Sequence, residues 1–429
     1  MSPRSTTGIR PTAPAHTRAV RRPTAAQIRR RRTGAGAVAF LFISLAAIGI
    51  AFLFASPTKG TTGTTVPPQT TGGSPTTSTA PSSYGVSGVH TVTYTDSCSN
   101  CTTENYLKGG TTPGRVLATD IWYPTEGGAG PAPDHQTFPL IVFAAGFDLA
   151  PSDYAPLIDA WVSDGYVVAA PIFPDTNPAA VGPVIKIFDQ TGVFPACSTC
   201  NPDDDVANQP ADLGFVLQQL VQDDAQQAAG ERSIVYQLFD ASRIAVAGQS
   251  DGGSTAAGLF YNSCPICTTT VRVGAVAVLS GQKDGLFSGS WFTKSGPPLL
   301  VAQGTADACN NPTNSTSLYS SAPSSPAKYF LTLTGAEHLV PYTQPGPQES
   351  VVARVTTDFF NLELGHRTPT VSALQSAGDT ADSQLSDAAA APSLASVVPT
   401  WRYDPETPQD PCSLLFTGPP TPGATTTTS

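Results

Sequence analysis

Acidic residues are absent from the first 83 positions of this 429-residue chain, although Asp and Glu together number 32. Residues 1–33 hold nine Arg, and residues 34–55 carry no charge at all. An uncharged apolar run of this length can cross a hydrocarbon layer of about 30 Å as a helix. Because a basic flank is retained in the cytoplasm, the sequence predicts a basic cytoplasmic tail at 1–33 and a transmembrane signal-anchor helix at 34–55 that places the remainder outside.

A cleaved signal peptide is the alternative interpretation of residues 34–55, and the chain would then be secreted. Signal peptides have a shorter apolar core, of about 7–15 residues, followed by small residues at the cleavage site. The run in this chain ends in Leu53-Phe54-Ala55, which is a poor cleavage site. The sequence therefore favours a single-pass protein of the cell membrane with its C-terminal domain outside.

Hydrophobic residues are also scarce at both ends of the exported part. Residues 56–83 are almost all Thr, Ser, Gly and Pro, and residues 417–429 end in a Thr-rich tail. Such segments cannot bury enough apolar surface to offset the entropy lost on ordering, which predicts a flexible linker and a disordered tail. A folded domain is expected at residues 84–416, and we find no internal repeat.

Basic residues are few beyond the tail. Without the nine Arg of residues 1–33, 13 basic residues face 32 acidic ones, a net charge near −19. A surface this acidic disfavours nucleic acid and anionic lipid as partners. It favours solubility and says little about a substrate.

The eight Cys fit an oxidising compartment, and six of them form three C-x-x-C pairs. A thioredoxin-like or metal-binding role is the alternative. No His or fourth-ligand pattern accompanies the pairs, so no metal site is expected. We expect three local disulfides, and if they form, the fourth pairing follows by elimination. The expected pairs are Cys98–Cys101, Cys197–Cys200, Cys264–Cys267 and Cys309–Cys412.

Continuous apolar runs, bounded by turn residues, indicate strands of a parallel sheet covered on both faces. These runs lie at 116–123, 139–144, 166–171, 243–247, 273–279, 298–303 and 328–334. Helical patterns alternate with them, at 153–164, 209–221, 252–261 and 350–362. The alternation predicts an α/β domain with a mostly parallel, doubly wound sheet and helices on both faces.

Three segments interrupt this alternation. Residues 172–208 and 280–297 are predicted insertions that follow strands at the edge where open α/β sheets bind ligands. Both could roof a pocket, and ordinary surface insertions are the alternative. Residues 365–416 form an Ala- and Pro-rich extension to which the sequence assigns no structure.

The sharpest motif is Gly248-Gln249-Ser250-Asp251-Gly252-Gly253, which matches G-x-S-x-G between a strand and a helical pattern. A tight strand-to-helix turn lifts a serine hydroxyl above a sheet, and small flanking residues avoid clashes. The following helix N-terminus supplies N–H groups for a developing oxyanion. A glycine-rich turn without chemistry is the alternative, but this setting favours Ser250 as a nucleophile.

A serine nucleophile needs a basic partner, and the chain has only five His. In the expected order serine, acid, histidine, the base follows the serine. His338 comes directly after the strand pattern at 328–334, and His366 is the less favoured alternative.

The acid is expected between Ser250 and His338. Asp307 directly follows the strand pattern at 298–303, which suits a carboxylate that orients an imidazole. Asp284, after the preceding strand, is the alternative. Two backbone N–H donors complete such a site, and we expect them at Asp251 and at Phe147, in the glycine-containing loop after the strand at 139–144.

These motifs jointly resemble the α/β-hydrolases of the dienelactone-hydrolase-like branch, which includes bacterial cutinases and polyester hydrolases, chlorophyllase and platelet-activating-factor acetylhydrolase. The resemblance covers residues 115–362 in order. The matching stretches are PLIVFAAGF at 139–147, WVSDGYVVAAP at 161–171, DLGFVL at 212–217, and the motifs GQSDGG, QGTAD and GAEH. It implies an α/β-hydrolase fold and esterase- or lipase-like activity, with Phe147 and Asp251 as oxyanion donors.

The chain departs from the family pattern at three positions. It has Ala145 before Gly146 where many relatives have His or Pro, and Gln249 before the nucleophile where many have His or Trp. True dienelactone hydrolases have Cys at the position of Ser250, so that particular activity is not expected.

The expected function is an extracytoplasmic serine hydrolase that cleaves carboxylic esters through an acyl-enzyme, without a cofactor. The expected partners are a small-molecule, lipid or polyester ester and, through the N-terminal helix, the membrane. Acyl transfer to a cell-envelope acceptor and a non-catalytic binding module of the same fold are the alternatives, with a peptidase as a weaker third.

Overall fold

The computed structural model describes residues 83–98, 101–127, 130–133, 137–191, 202–226 and 233–397. All of them belong to Thr77–Ser429, one of the two units into which the chain divides. The predicted anchor at 34–55 and the tail at 417–429 lie outside the described residues. Within the described residues, no helix combines the length and the apolar character needed to cross a membrane.

The strands are short, and most of those in the middle of the chain are fully buried. They are β1 (Gly85–Val86), β2 (His90–Asp96), β3 (Thr102–Glu104), β4 (Thr111–Pro113), β5 (Arg115–Trp122), β6 (Pro124–Thr125), β7 (Leu140–Ala144), β8 (Val167–Pro171), β9 (Ile244–Gln249), β10 (Ala275–Leu279), β11 (Leu299–Gly304), β12 (Lys328–Leu333) and β13 (Ser383–Ser386).

The helices alternate with the central strands. They are α1 (Ala155–Ser163), α2 (Pro178–Thr191), α3 (Gln209–Ala225), α4 (Asp251–Tyr261), α5 (Pro312–Ser321), α6 (Val340–Thr343), α7 (Pro347–Leu364) and α8 (Val371–Gly378). Two 3₁₀ helices, Pro151–Tyr154 and Pro202–Asn208, precede α1 and α3.

Nine strands form one sheet in the order β13-β12-β11-β10-β9-β7-β8-β5-β2. The six strands from β12 to β8 are parallel, whereas β13 at one edge and β5 and β2 at the other are antiparallel to their neighbours. Two small antiparallel pairs, β1 with β6 and β3 with β4, lie outside this sheet. The domain is therefore an α/β structure with a mixed, mostly parallel sheet.

The two faces of the sheet bury separate apolar cores. Side chains alternate along β7, so Leu140 and Val142 enter one core, and Ile141 and Phe143 enter the other. Helices α3, α4 and α5 cover the first core, and α1 and α7 cover the second. Coverage on both faces explains why the central strands appear in the sequence as continuous apolar runs.

The central strands and helices α1, α3, α4 and α7 follow the sequence pattern closely, whereas strands β1–β4 and β6, helices α5 and α6, and the elements inside two of the irregular segments were not predicted. The segment 172–208, expected to interrupt the pattern, contains the 14-residue helix α2. Its Gly182 and Pro183 are unfavourable inside helices, which hides it from a propensity argument. The extension at 365–416 contributes α8 and the edge strand β13, which pairs antiparallel with β12.

Candidate active site

The loops at the carboxyl ends of four parallel strands carry the predicted site residues. Ser250 directly follows β9, Asp307 lies in the loop after β11, and His338 lies in the loop after β12. From β7 the chain continues to β8 on one side, whereas from β9 it continues to β10 on the other. Strands β7 and β9 therefore flank a topological switch point, where open α/β sheets leave a crevice for ligands.

Ser250 stands at a sharp turn between β9 and α4, with φ 56° and ψ −120°. This conformation is rare for residues other than glycine. The turn is tightly packed: a Cβ on Gly248 would lie 2.1 Å from the Gly252 carbonyl oxygen, and one on Gly252 would lie 2.0 Å from that of Ala144. Glycine is therefore required on both sides of Ser250, whose side chain remains partly exposed.

His338 joins Ser250 to Asp307. Its Nε2 lies 2.9 Å from Ser250 Oγ, and its Nδ1 lies 2.9 Å from Asp307 Oδ2. Asp307 is fully buried and His338 is 6% exposed. A buried carboxylate that accepts the Nδ1 proton leaves Nε2 bare, so that it can accept the serine proton. The arrangement can therefore turn the Ser250 hydroxyl into a nucleophile.

Four donors hold the Asp307 carboxylate. Its Oδ1 accepts the backbone N–H groups of Cys309 and Asn310, both at 2.9 Å. Its Oδ2 accepts Gln303 Nε2 at 3.0 Å in addition to His338. An ionised carboxylate has about four acceptor sites, so the carboxylate is satisfied and its orientation toward the imidazole is fixed.

The two predicted oxyanion donors both lie beside Ser250. Asp251 directly follows Ser250 and is the first residue of α4, so its backbone N–H lies at the N-terminus of that helix. The loop after β7 packs against the turn, because a Cβ on Gly146 would lie 3.2 Å from Ser250 Cβ. Among the described residues no acceptor takes the Phe147 N–H. These two amides are therefore placed to receive a negative oxygen bound to Ser250.

The side chain of Phe147 belongs to a small apolar cluster separate from the two cores. It packs with Val181 and Ile185 of α2 and with the partly buried Tyr106, which lies between β3 and β4. Helix α2 of the segment 172–208 therefore packs against Phe147, in the loop after β7.

A buried ion-pair network ties the β3–β4 hairpin to this region. Arg115 donates to both oxygens of Asp212 at 2.7 Å and also pairs with Asp175. Asp175 accepts the backbone N–H of Glu104 at 2.8 Å. Burial raises the pKa of Asp175 and raises that of Asp212 to about 6, although Arg115 lowers both.

Asp148 places a carboxyl in the loop after β7, directly after Phe147. It adopts a left-handed φ of 55°, and its N–H donates to the Thr176 carbonyl at 2.8 Å. Burial and the nearby Asp153 raise the pKa of Asp148 to about 6. A Cβ on Gly182 of α2 would lie 3.7 Å from its Oδ1, so the carboxyl faces this helix.

The alternative acid and base have other contacts. Asp284 accepts the backbone N–H of Leu286 at 2.8 Å, within its own loop. His366 lies 5.1 Å from the Tyr166 ring, and its Nε2 is 3.3 Å from the Asp164 carbonyl oxygen. The structure thus groups Asp307 and His338, and neither alternative, with Ser250.

Two polar residues that the sequence did not assign to the site also contact it. Gln249 donates from Nε2 to the His338 carbonyl at 3.2 Å. The Tyr154 hydroxyl donates to Gln249 Oε1 at 2.7 Å. The only signal in the sequence was that position 249 is Gln, whereas many members of the family that the chain resembles have His or Trp there. Nothing in the sequence distinguished Tyr154 from other residues near the start of α1.

The cysteines agree with the expected pairing as far as they are described. Cys98–Cys101 and Cys264–Cys267 are disulfide-bonded, with Cα separations of 5.2 and 5.1 Å. Cys309 is also disulfide-bonded. Cys197, Cys200 and Cys412 lie outside the described residues. Asp96 lies close enough to Cys98 and Cys101 for a three-ligand metal site, but their bonded sulfurs offer no thiolate to a metal.

Comparison with known proteins adds no assignment. The chain matches no model of a protein family, and no curated protein matches it.

Proposed function

We propose that this protein is a serine hydrolase of the α/β-hydrolase type that cleaves carboxylic esters through an acyl-enzyme on Ser250. The observation that carries the proposal is the chain of two 2.9 Å hydrogen bonds from Ser250 through His338 to Asp307. The positive φ of Ser250 and its place between β9 and α4 support it, because both are features of a nucleophile elbow.

In the proposed reaction, His338 Nε2 takes the proton of Ser250, whose Oγ attacks the ester carbonyl. The N–H groups of Phe147 and Asp251 stabilise the resulting oxyanion. As the tetrahedral intermediate collapses, the ester C–O bond breaks and His338 gives its proton to the departing alcohol. Water then loses a proton to His338 and attacks the acyl-enzyme, and the acid product leaves as Ser250 regains its proton.

The charge around the site supports an uncharged ester. Asp148 adds a carboxyl to the loop after β7, directly after Phe147, and the exported part has a net charge near −19. Negative charge near the site opposes the approach of anionic substrates.

Replacing Ser250 by Ala tests the proposal. The full-length variant should lose turnover of p-nitrophenyl esters by at least about 10³-fold, while its circular dichroism spectrum stays that of the wild type. Ser254→Ala is a matched control, because Ser254 is a buried serine of α4, the helix that follows Ser250, and its hydroxyl accepts the Gln282 N–H at 3.1 Å. Its activity should stay near that of the wild type.

A fluorophosphonate probe provides a readout that does not depend on the choice of ester. We expect one adduct, located by mass spectrometry on the peptide that contains Ser250. Absence of any adduct in the folded protein would contradict the proposal and favour a binding module. Products separate hydrolysis from transfer, because transfer to an added alcohol yields a new ester and hydrolysis yields free acid.

We also propose that the domain works outside the membrane, held by residues 34–55. The Cys98–Cys101 and Cys264–Cys267 disulfides support this location, because such bonds persist in oxidising compartments. Protease added to intact cells should digest the domain, whereas protection until the cells are lysed would contradict the proposal.

A further inference from the structure

Gln249 is a polar residue at the end of a central strand, yet it is 0% exposed. Its side chain lies between the loop after β7 and the loop that carries His338. The Gln249 Oε1 accepts the Tyr154 hydroxyl at 2.7 Å, and Tyr154 in turn accepts the Gly146 N–H at 3.0 Å. The Gln249 Nε2 lies 3.2 Å from the His338 carbonyl oxygen and 3.3 Å from His338 Nε2.

The direction of these hydrogen bonds follows from the backbone. The Gly146 N–H can only donate, so the Tyr154 oxygen accepts it and directs its single proton to Gln249 Oε1. Burial raises the pKa of Tyr154 far above its usual value, which keeps that proton in place. With Oε1 occupied by this bond, the amide NH₂ group of Gln249 must face His338.

An NH₂ group has two protons, and both have an acceptor here. One is directed to the His338 carbonyl and fixes the loop after β12. The other approaches the ring Nε2 at 3.3 Å, where it shares the single lone pair with the closer Ser250 hydroxyl at 2.9 Å and favours a bare nitrogen, as does the Asp307 carboxylate at Nδ1. Both contacts select the tautomer that can accept the Ser250 proton, and the Gln249 contact opposes a lasting proton on Nε2.

We propose that Gln249 and Tyr154 are positioning residues that hold His338 as a neutral base and link its loop to the oxyanion loop. The inference rests on the proposed role of His338 as the base. The link to the oxyanion loop is short, because Gly146 directly precedes Phe147, and a Cβ on Gly146 would lie 2.7 Å from Gln249 Oε1. One relay therefore sets the positions of both the base and an oxyanion donor.

Nitrogen NMR of the full-length protein labelled with ¹⁵N-histidine tests the inference without any substrate. The chain has five His, and loss of one signal in His338→Gln assigns the relevant ring. Gln249→Met removes the donor at Nε2 and should raise the His338 titration midpoint by about half a pH unit. Gln249→Glu adds a negative charge there and should raise it by about one unit.

The pH dependence of kcat/KM should rank the wild type and the two position-249 variants in the same order as the NMR midpoints. The acid limb of the kcat/KM profile for a p-nitrophenyl ester should move to higher pH from wild type to Met to Glu at position 249. Tyr154→Phe should lower kcat about tenfold with KM changed less than about threefold, because the oxyanion loop loses its anchor while the substrate contacts remain.

Tyr166→Phe is the matched control for Tyr154→Phe. Tyr166 is also fully buried, and its hydroxyl also donates to a side-chain amide oxygen, that of Asn361 at 2.8 Å. Both variants should lose stability, Tyr154→Phe more because the Gly146 N–H also loses its acceptor, and only Tyr154→Phe should lower kcat.

The outcomes separate this inference from the proposed function. If the wild type forms the Ser250 fluorophosphonate adduct but both position-249 variants keep the wild-type midpoint within about 0.2 unit, the relay only satisfies buried polar groups and the inference is wrong. If the wild type forms no adduct, the proposed function fails. The order of NMR midpoints then still decides whether Gln249 controls the His338 ring.

Discussion

Replacing Asp307 by Asn would move the ring proton of neutral His338 from Nδ1 to Nε2, because the surrounding hydrogen bonds decide how the new amide must point. The Oδ1 position accepts the backbone N–H groups of Cys309 and Asn310, at 2.9 Å each. Only an oxygen satisfies two donors there. The NH₂ group of the asparagine must therefore take the place of Oδ2, 2.9 Å from His338 Nδ1.

An amide proton directed at Nδ1 forces the ring proton to Nε2, which can then no longer accept from Ser250. The corresponding Asp-to-Asn change in a serine protease triad lowers kcat about 10⁴-fold. We expect a similar fall in kcat/KM, equal to about 5.5 kcal/mol at about 1.36 kcal/mol per decade. The new amide also faces the Gln303 Nε2 donor, which should lower the free energy of unfolding by about 1–3 kcal/mol.

The assay is kcat/KM for a p-nitrophenyl ester, together with the rate of fluorophosphonate labelling and urea unfolding of the same preparations. Asp284→Asn is the control, since Asp284 is the other acid that follows a strand before His338. It should keep its activity within about threefold of the wild type. A folded Asp307→Asn variant within about tenfold of wild-type activity, or a large loss confined to Asp284→Asn, would refute the assignment of the acid.

Three further predictions concern stability, measured by urea unfolding. Gly252→Ala should cost about 3 kcal/mol and most of the activity, because its Cβ would lie 2.0 Å from the Ala144 oxygen; an active, stable variant would contradict the tight turn. Arg115→Met should cost about 3–5 kcal/mol near pH 8 by leaving Asp212 and Asp175 buried without their cation. The cost should be smaller near pH 5, because the Asp212 pKa, about 6 in the wild type, rises further without Arg115 and the carboxyl is then protonated. Asp148→Asn should raise the free energy of unfolding by about 1 kcal/mol more at about pH 8 than at about pH 4, a figure reduced for the partial exposure of Asp148. Because the folded-state pKa of Asp148 is raised, the wild type loses stability as the pH rises from about 4 to 6, and the variant does not. An equal gain at both pH values would contradict this prediction.

The sequence placed the central strands and grouped Ser250, Asp307 and His338 because each of these features is local. A buried parallel strand is an apolar run, and each site residue lies at the end of one or in the loop after it. Since parallel strands present their carboxyl ends at one edge, the grouping of these residues followed from the strand assignments. Asp307 and His338 are 31 residues apart, and their contact was expected from the strand that precedes each of them and from the order serine, acid, histidine.

The relay and the ion-pair network could not be predicted in this way. Tyr154 and Gln249 are 95 residues apart, and Arg115 and Asp212 are 97 apart. Neither pair lies at a regular sequence spacing or within a recognisable sequence motif. Their contacts depend on which side chain fills a buried gap between loops, and that depends on packing in three dimensions.

The hydrogen bonds that connect Gly146 to Asp307 all donate in one direction. The Gly146 N–H can only donate, and the Asp307 carboxylate can only accept. Between them, the Tyr154 hydroxyl, the Gln249 amide and the His338 ring could each point either way, but only one arrangement satisfies both ends: every donor points from Gly146 toward Asp307. That arrangement leaves His338 Nε2 without a proton, so the backbone of the oxyanion loop and the buried carboxylate together fix the protonation state that the proposed chemistry needs.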